Sequence, residues 1–313
     1  MTPTDSRGQL LRVVGTLLSL VLLTYLVGQQ GWREIWESIR RITLARFLLV
    51  LGLVCVSRLA VVGRWTSLLW LSGLRLRLWE ILRVTFAGMF ASNFLPTSVG
   101  GDIVRLAWTA RVEGDRAKYA SSIAVDRLVG LAGMAMLLPF GIAQVVDAGV
   151  LESVRKVSTA ALGFVAPPRP MSRLKRAFRG LIELMGAWLS NPRALVAALG
   201  FTWVHMSLTF ASMWVLFQGL GESLSFWEIA GLWSFVYFIA LFPISINSLG
   251  LAEVSAGLIY SSIGGVAVSS ALTVALLKRT VELLASLPGA ASLPGMLALR
   301  RAPIPAEAGG SPE

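Results

Sequence analysis

One cysteine and one histidine occur in 313 residues, and only 14% of the chain is charged. The lone Cys55 excludes a disulfide framework, and His205 by itself leaves no imidazole or thiolate cluster for a metal. HExxH, P-loop and GxSxG patterns are missing, so hydrolysis and phosphoryl transfer lack their usual parts. No metal and no cofactor is expected. Acidic residues are scarce too, 17 against 28 Lys and Arg. That excess lies between apolar runs and makes no single basic face, which argues against nucleic acid as a partner and for topology signals and anionic lipid headgroups. What is abundant is apolar: 55% hydrophobic residues and a mean hydropathy of +0.71. The expected class is an all-α polytopic membrane protein.

Residues 1–9 read as a polar N-terminus and 10–145 as a first transmembrane repeat. Residues 146–193 combine a weak span with a basic amphipathic linker, 194–290 form the core of a second repeat, and 291–313 a tail disordered at its end. Residues 31–41, GWREIWESIRR, place Trp32, Ile35, Trp36 and Ile39 at helical spacing, as an interfacial helix does. Two apolar stretches are broken. In 81–110, Asn93 and Pro96 precede Gly100, Gly101 and Asp102. A helix cannot pass smoothly through a proline and paired glycines. From Glu80 to Pro96 a helix reaches roughly 24 Å, short of a clear crossing of a core about 30 Å thick. A re-entrant hairpin over 81–110 fits better than two spans, and a second over 226–263 turns at Pro243 and Gly250.

The two breaks belong to a repeated pattern. Gly73-x-x-Leu76-x-x-Trp79-Glu80-Ile81 recurs as Gly221-x-x-Leu224-x-x-Trp227-Glu228-Ile229, at an offset of 148. Phe90 and Phe94 answer Phe238 and Phe242; Asp102 and Arg127 answer Glu253 and Arg279. Duplicated halves with paired broken helices are a transporter pattern, with the site where the halves meet. The Lys and Arg bias puts the C-terminus inside whether or not residues 149–166 cross. With that crossing the repeats are inverted, the reading preferred here; without it they are parallel.

Arginine inside hydrocarbon costs roughly 2.5–3.5 kcal/mol on insertion scales, so it faces protein, water or an anion. Arg64, Arg105, Arg127 and Arg279 are the candidates, with Arg58 behind them, and a guanidinium matches phosphate bidentately. Local ion pairing competes at each: Asp102 precedes Arg105 by three residues, Asp126 adjoins Arg127, and Glu282 follows Arg279 by three. Asp102 is expected to cap its half-helix and Glu253 to sit in the first turn of its own. Asn93 is expected to hold carbonyls freed by the break, and His205 to bond between helices. Trp65, Trp70, Trp79 and Trp227 read as interface anchors.

These motifs resemble the flippase-like transmembrane domain of lysylphosphatidylglycerol synthases, also found free-standing. The resemblance rests on Arg64–Trp65, Asn93-x-x-Pro96, Gly100–Gly101–Asp102-x-x-Arg105, Asp126–Arg127-x-x-Gly130, Pro243-x-Ser245 and Leu249–Gly250-x-x-Glu253. It covers about 10–290. Where the family usually reads Gly-Gly-Leu-Gly-Val-Arg-Glu, this chain has Ser248 for a glycine and Ala252 for the arginine. The resemblance implies lipid translocation or lipid handling, and with the arginines and the two breaks the expected function is movement of an anionic phospholipid or isoprenoid-type lipid between leaflets of a prokaryotic inner membrane, with Arg64, Arg105, Arg127, Arg279, Asn93, Asp102 and Glu253 as candidates at the headgroup. No aminoacyl-transferase domain is expected after Arg301, so enzymatic activity is not expected. The rival readings are a membrane-embedded transferase with Asp102 or Glu253 as base, and an accessory subunit in lipid-linked glycan synthesis or lipid modification. A homo-oligomer or a lipid-synthesis partner remains open.

Overall fold

The computed structural model describes residues 32–93, 100–110, 115–149, 188–242 and 248–292, with a few positions between 17 and 28. Among them are ten α-helices: α1 (Trp32–Arg41), α2 (Leu44–Leu71), α3 (Leu78–Ser92), α4 (Gly100–Thr109), α5 (Arg116–Ala135), α6 (Leu138–Asp147), α7 (Pro192–Leu220), α8 (Phe226–Ala240), α9 (Leu251–Ser262) and α10 (Val268–Ser286). A 3₁₀ turn, Leu287–Ser292, follows α10. The expected all-α architecture is therefore observed. The expected weak span within 146–193, Pro96 and Pro243 lie outside the described residues, apart from the ends of that linker.

Three stretches are long and apolar enough to cross a bilayer: Leu44–Leu71, Arg116–Asp147 and Pro192–Leu220. The second combines α5 and α6. Pro139 sits in the first turn of α6, and its missing N–H breaks the ladder there. α3, α4, α8 and α9 have 15, 10, 15 and 12 residues. At 1.5 Å per residue each is at most about 22 Å long, too short to cross alone.

α2 and α7 run antiparallel along their whole length. Arg46 Nη1 donates to the Gly219 carbonyl at one end (3.4 Å), and Asn191 Nδ2 to the Leu71 carbonyl at the other (2.5 Å). Midway, the Ser57 hydroxyl lies 2.6 Å from His205 Nδ1. This is the interhelical role expected of His205.

The repeated sequence segments adopt the same local roles. Gly73 and Gly221 have φ of +81° and +84°, the left-handed conformation glycine takes without steric cost at a helix end. Leu76 and Leu224 are buried, Trp79 and Trp227 exposed, and Ile81 and Ile229 wholly enclosed. Glu80 accepts the Arg77 N–H and Glu228 the Ser225 N–H, each carboxylate closing the first turn of α3 or α8.

Glycines set the close crossings. A Cβ on Gly101 would stand 2.7 Å from the Gly88 carbonyl oxygen, so α3 and α4 touch backbone to backbone. Gly141 of α6 would meet the Gly231 oxygen of α8 at 2.6 Å, and Gly289 would overlap the Phe86 oxygen of α3. Leu138–Pro139–Phe140–Gly141 thus crosses α8, and Leu287–Pro288–Gly289 crosses α3, each through a glycine. α1 rests its apolar face on α10: Ile35 is buried against Leu272, with Ile39 beside it, while Arg33 and Glu37 pair in the open.

Candidate functional site

A cavity of about 410 Å³ lies among α2, α3, α4, α5, α7, α8 and α10. Its wall carries six cations, Arg58, Arg64, Arg105, Arg127, Lys278 and Arg279, against the three carboxylates Asp102, Asp126 and Glu282. Two charge clusters build it.

In the first, Asp126 of α5 is fully buried. Its Oδ1 accepts from Arg64 Nε (2.7 Å), and its Oδ2 from both terminal nitrogens of Arg105 (2.9 and 2.8 Å). Asp102 takes Arg127 Nε at 2.6 Å. The Arg105 guanidinium lies over the Trp65 ring, 4.4 Å from its centre, a stacking that favours the cation. Gly130 makes room for this arrangement, since a Cβ there would come 2.9 Å from Arg64 Nη1.

The second cluster follows the same plan. Arg279 of α10 donates to Glu253 at 2.9 Å. Glu282, on α10 itself, takes Lys278 and Arg58, both at 2.9 Å, and Lys278 lies 4.4 Å over the Trp233 ring. In each cluster a carboxylate in the first turn of α4 or α9 holds an arginine of the next long helix. That helix contributes a second carboxylate, which takes an arginine from α2. One oxygen each of Asp102 and Glu253 is buried without a hydrogen bond among the described residues.

Several local expectations are corrected. Arg127 pairs with Asp102 at 2.6 Å, and Arg279 pairs with Glu253 at 2.9 Å. Adjacent residues on a helix point about 100° apart, so Asp126 and Arg127 face different neighbours. Arg105 approaches Asp102 only at 3.6 Å and gives its bidentate contact to Asp126. The Asp102 side chain is spent on Arg127, not on capping α4. Trp65 is no interface anchor: it is wholly buried, and its indole N–H reaches Ser122 Oγ at 3.2 Å. Trp70, Trp79 and Trp227 are about half exposed or more, as anchors are.

Of the candidate residues, Arg64, Arg105, Arg127, Arg279, Asn93 and Asp102 line the cavity, while Glu253 stands behind Arg279. Asn93 Nδ2 donates to the Met89 carbonyl (3.2 Å) and to Ser286 Oγ (3.0 Å). It thus holds a carbonyl at the break and ties α3 to α10. Gly100 starts α4 as described, buried, and Gly250 takes φ +77° before α9. Lys278, Glu282 and Asp126 were not singled out as ligands from the sequence. The i,i+4 pair Lys278–Glu282 in the middle of an apolar helix was the available signal.

A family model for the lysylphosphatidylglycerol synthase TM region matches residues 12–289. The chain belongs to that family. No curated protein matches it. Membership and the three apolar helices make the chain a lipid-related membrane protein. Where the family motif usually has glycine, Ser248 takes φ +53°, a left-handed conformation costly for a side chain. Its hydroxyl donates to the Ala240 carbonyl at 2.5 Å, a local bond that offsets the cost.

Proposed function

We propose that the protein moves a lipid with an anionic headgroup between the leaflets of a prokaryotic inner membrane. The observation that carries this reading is the cation-lined cavity. A buried cation in excess of its counter-charges is costly, yet among the described residues the six cations of that wall share four carboxylates, Asp102, Asp126, Glu282 and, behind Arg279, Glu253. A phosphate headgroup supplies the missing anion through charge-assisted bonds. The tails stay in lipid while the headgroup occupies the cavity.

Two re-entrant hairpins, α3–α4 and α8–α9, form the moving walls in this reading. Ser57 and His205 are separated by the repeat offset of 148 and touch at the midpoint of antiparallel α2 and α7. A helix meeting its own equivalent head to tail supports inverted repeats about an axis between them, with 10–145 and 194–290 as the two units and the C-terminus in the cytoplasm. Rocking of the halves about that axis alternates access. The two Leu-Pro clasps keep each hairpin attached to the opposite half.

Proteoliposomes with fluorescent phosphatidylglycerol test this. Arg105→Ala and Arg127→Ala are each expected to slow leaflet exchange about tenfold or more, Arg127→Ala by the loss of one charge-assisted phosphate contact and Arg105→Ala by the loss of a cation that closes the first cluster on Asp126. Unchanged exchange in both variants removes the headgroup role of these arginines.

A further inference from the structure

We propose that the headgroup carries two phosphoryl groups, one held by each charge cluster. This rests on the transport reading and narrows its substrate class. Among the described residues the two clusters hold six cations and four carboxylates, a net charge of +2. The surplus is divided evenly. Arg64, Arg105 and Arg127 face Asp102 and Asp126; Arg58, Lys278 and Arg279 face Glu253 and Glu282. Each cluster has one cation too many; a phosphodiester neutralises only one of them, and a phosphomonoester, at about −1.5 to −2, delivers its charge to one cluster and not to both. Residual charge in a low-dielectric cavity is expensive, so the ligand that balances the site brings about one negative charge to each side.

The geometry assigns the receiving groups. Arg64 and Arg105 have side chains only 11% and 7% exposed and are closed on Asp126. Arg127 is 49% exposed, meets Asp102 through Nε and lines the cavity. Arg279 is the most open cation of the second cluster at 29%, against 18% for Arg58 and 10% for Lys278. Both open arginines are anchored by buried carboxylates of half-helices, so each is held in place before a ligand arrives, which lowers the cost of binding. Arg127 and Arg279 line the same cavity. A diphosphate headgroup offers one phosphoryl group to each of these donors, and the same chemistry occurs in a lipid diphosphate and in free diphosphate.

The test titrates the full chain in detergent with geranylgeranyl diphosphate, geranylgeranyl monophosphate and inorganic diphosphate, following tryptophan fluorescence. Trp65 and Trp233 lie beneath Arg105 and Lys278 and report on the cavity. The lipid diphosphate is expected to bind about ten- to a hundredfold more tightly than the monophosphate. Arg127→Gln and Arg279→Gln should each bring that ratio within about threefold, while Arg127→Lys and Arg279→Lys retain most of it because the charge remains. Equal affinity for the two lipids, or a ratio unmoved in both glutamine variants, overturns the proposal. Inorganic diphosphate binding as tightly as the lipid overturns a lipid occupant. Arginine-dependent leaflet exchange of the monophosphate lipid, with no preference for the diphosphate, would sink this inference and leave the transport reading standing.

Discussion

Asp126→Asn is expected to destabilise the protein by about 3–5 kcal/mol, the cost of leaving a buried charge unpaired, and to abolish lipid exchange. Asp126 alone receives both Arg64 and Arg105, through three short hydrogen bonds. Both arginines are buried, and neither has a second carboxylate within hydrogen-bonding distance among the described residues. The asparagine keeps the shape and removes the charge, so the two guanidinium groups repel one another at the same place. Thermal unfolding in detergent measures the loss. A companion variant separates stability from function. Replacing Arg64, Arg105 and Asp126 together by Met, Met and Leu removes the whole ionic group, which buried networks often tolerate at little cost. That triple variant should recover most of the melting temperature and none of the exchange. If Asp126→Asn unfolds like the wild type, the network is solvated and the cavity is not the low-dielectric site described above.

Gly289→Ala should have the next largest effect, about 1–3 kcal/mol, the range for forcing extra atoms into a packed contact. A Cβ there would overlap the Phe86 carbonyl oxygen and carbon. Those are backbone atoms within α3, so no side chain can swing away. The turn after α10 must lift from α3, loosening the clasp on the first broken segment. Gly52→Ala and Gly200→Ala are the controls, because nothing lies within 4 Å of either new methyl. Both are helical positions, where alanine is favoured over glycine by about 0.5–1 kcal/mol. Melting temperatures should therefore move in opposite directions, down for Gly289→Ala and level or up for the controls. A melting temperature for Gly289→Ala equal to the wild type would mean that the clasp is not a packed contact.

Much of this was legible in the sequence because hydrophobic runs and helix breakers are local signals. The second transmembrane unit is expected from residue 194, and α7 starts at Pro192, where proline suits the first turn. The Gly-x-x-Leu-x-x-Trp-Glu-Ile landmarks were readable because each residue does a local job: a left-handed glycine, a carboxylate at the third helical position, an enclosed isoleucine. The ion pairs were not readable. Sequence proximity pointed Arg127 to Asp126 and Arg279 to Glu282, whereas long-range folding brings Asp102 and Glu253 across 25 and 26 residues. Trp65 was misplaced for a related reason. Near a helix end an indole looks like an interface anchor, and only the approach of α4 and α5 encloses it. The Leu-Pro-x-Gly and Leu-Pro-Gly ends were missed as repeat landmarks because their role, a glycine crossing on a helix distant in sequence, exists only in three dimensions.

The central claim is that cations from both halves converge on one bound phosphate-bearing lipid. Native mass spectrometry of the purified full chain tests it most directly, comparing wild type with the Arg127→Gln/Arg279→Gln double variant extracted from the same membranes. The wild type should carry a retained lipid whose mass includes phosphate, and the double variant, folded by its melting curve, should carry none of it. The same lipid retained equally by both proteins would contradict the account.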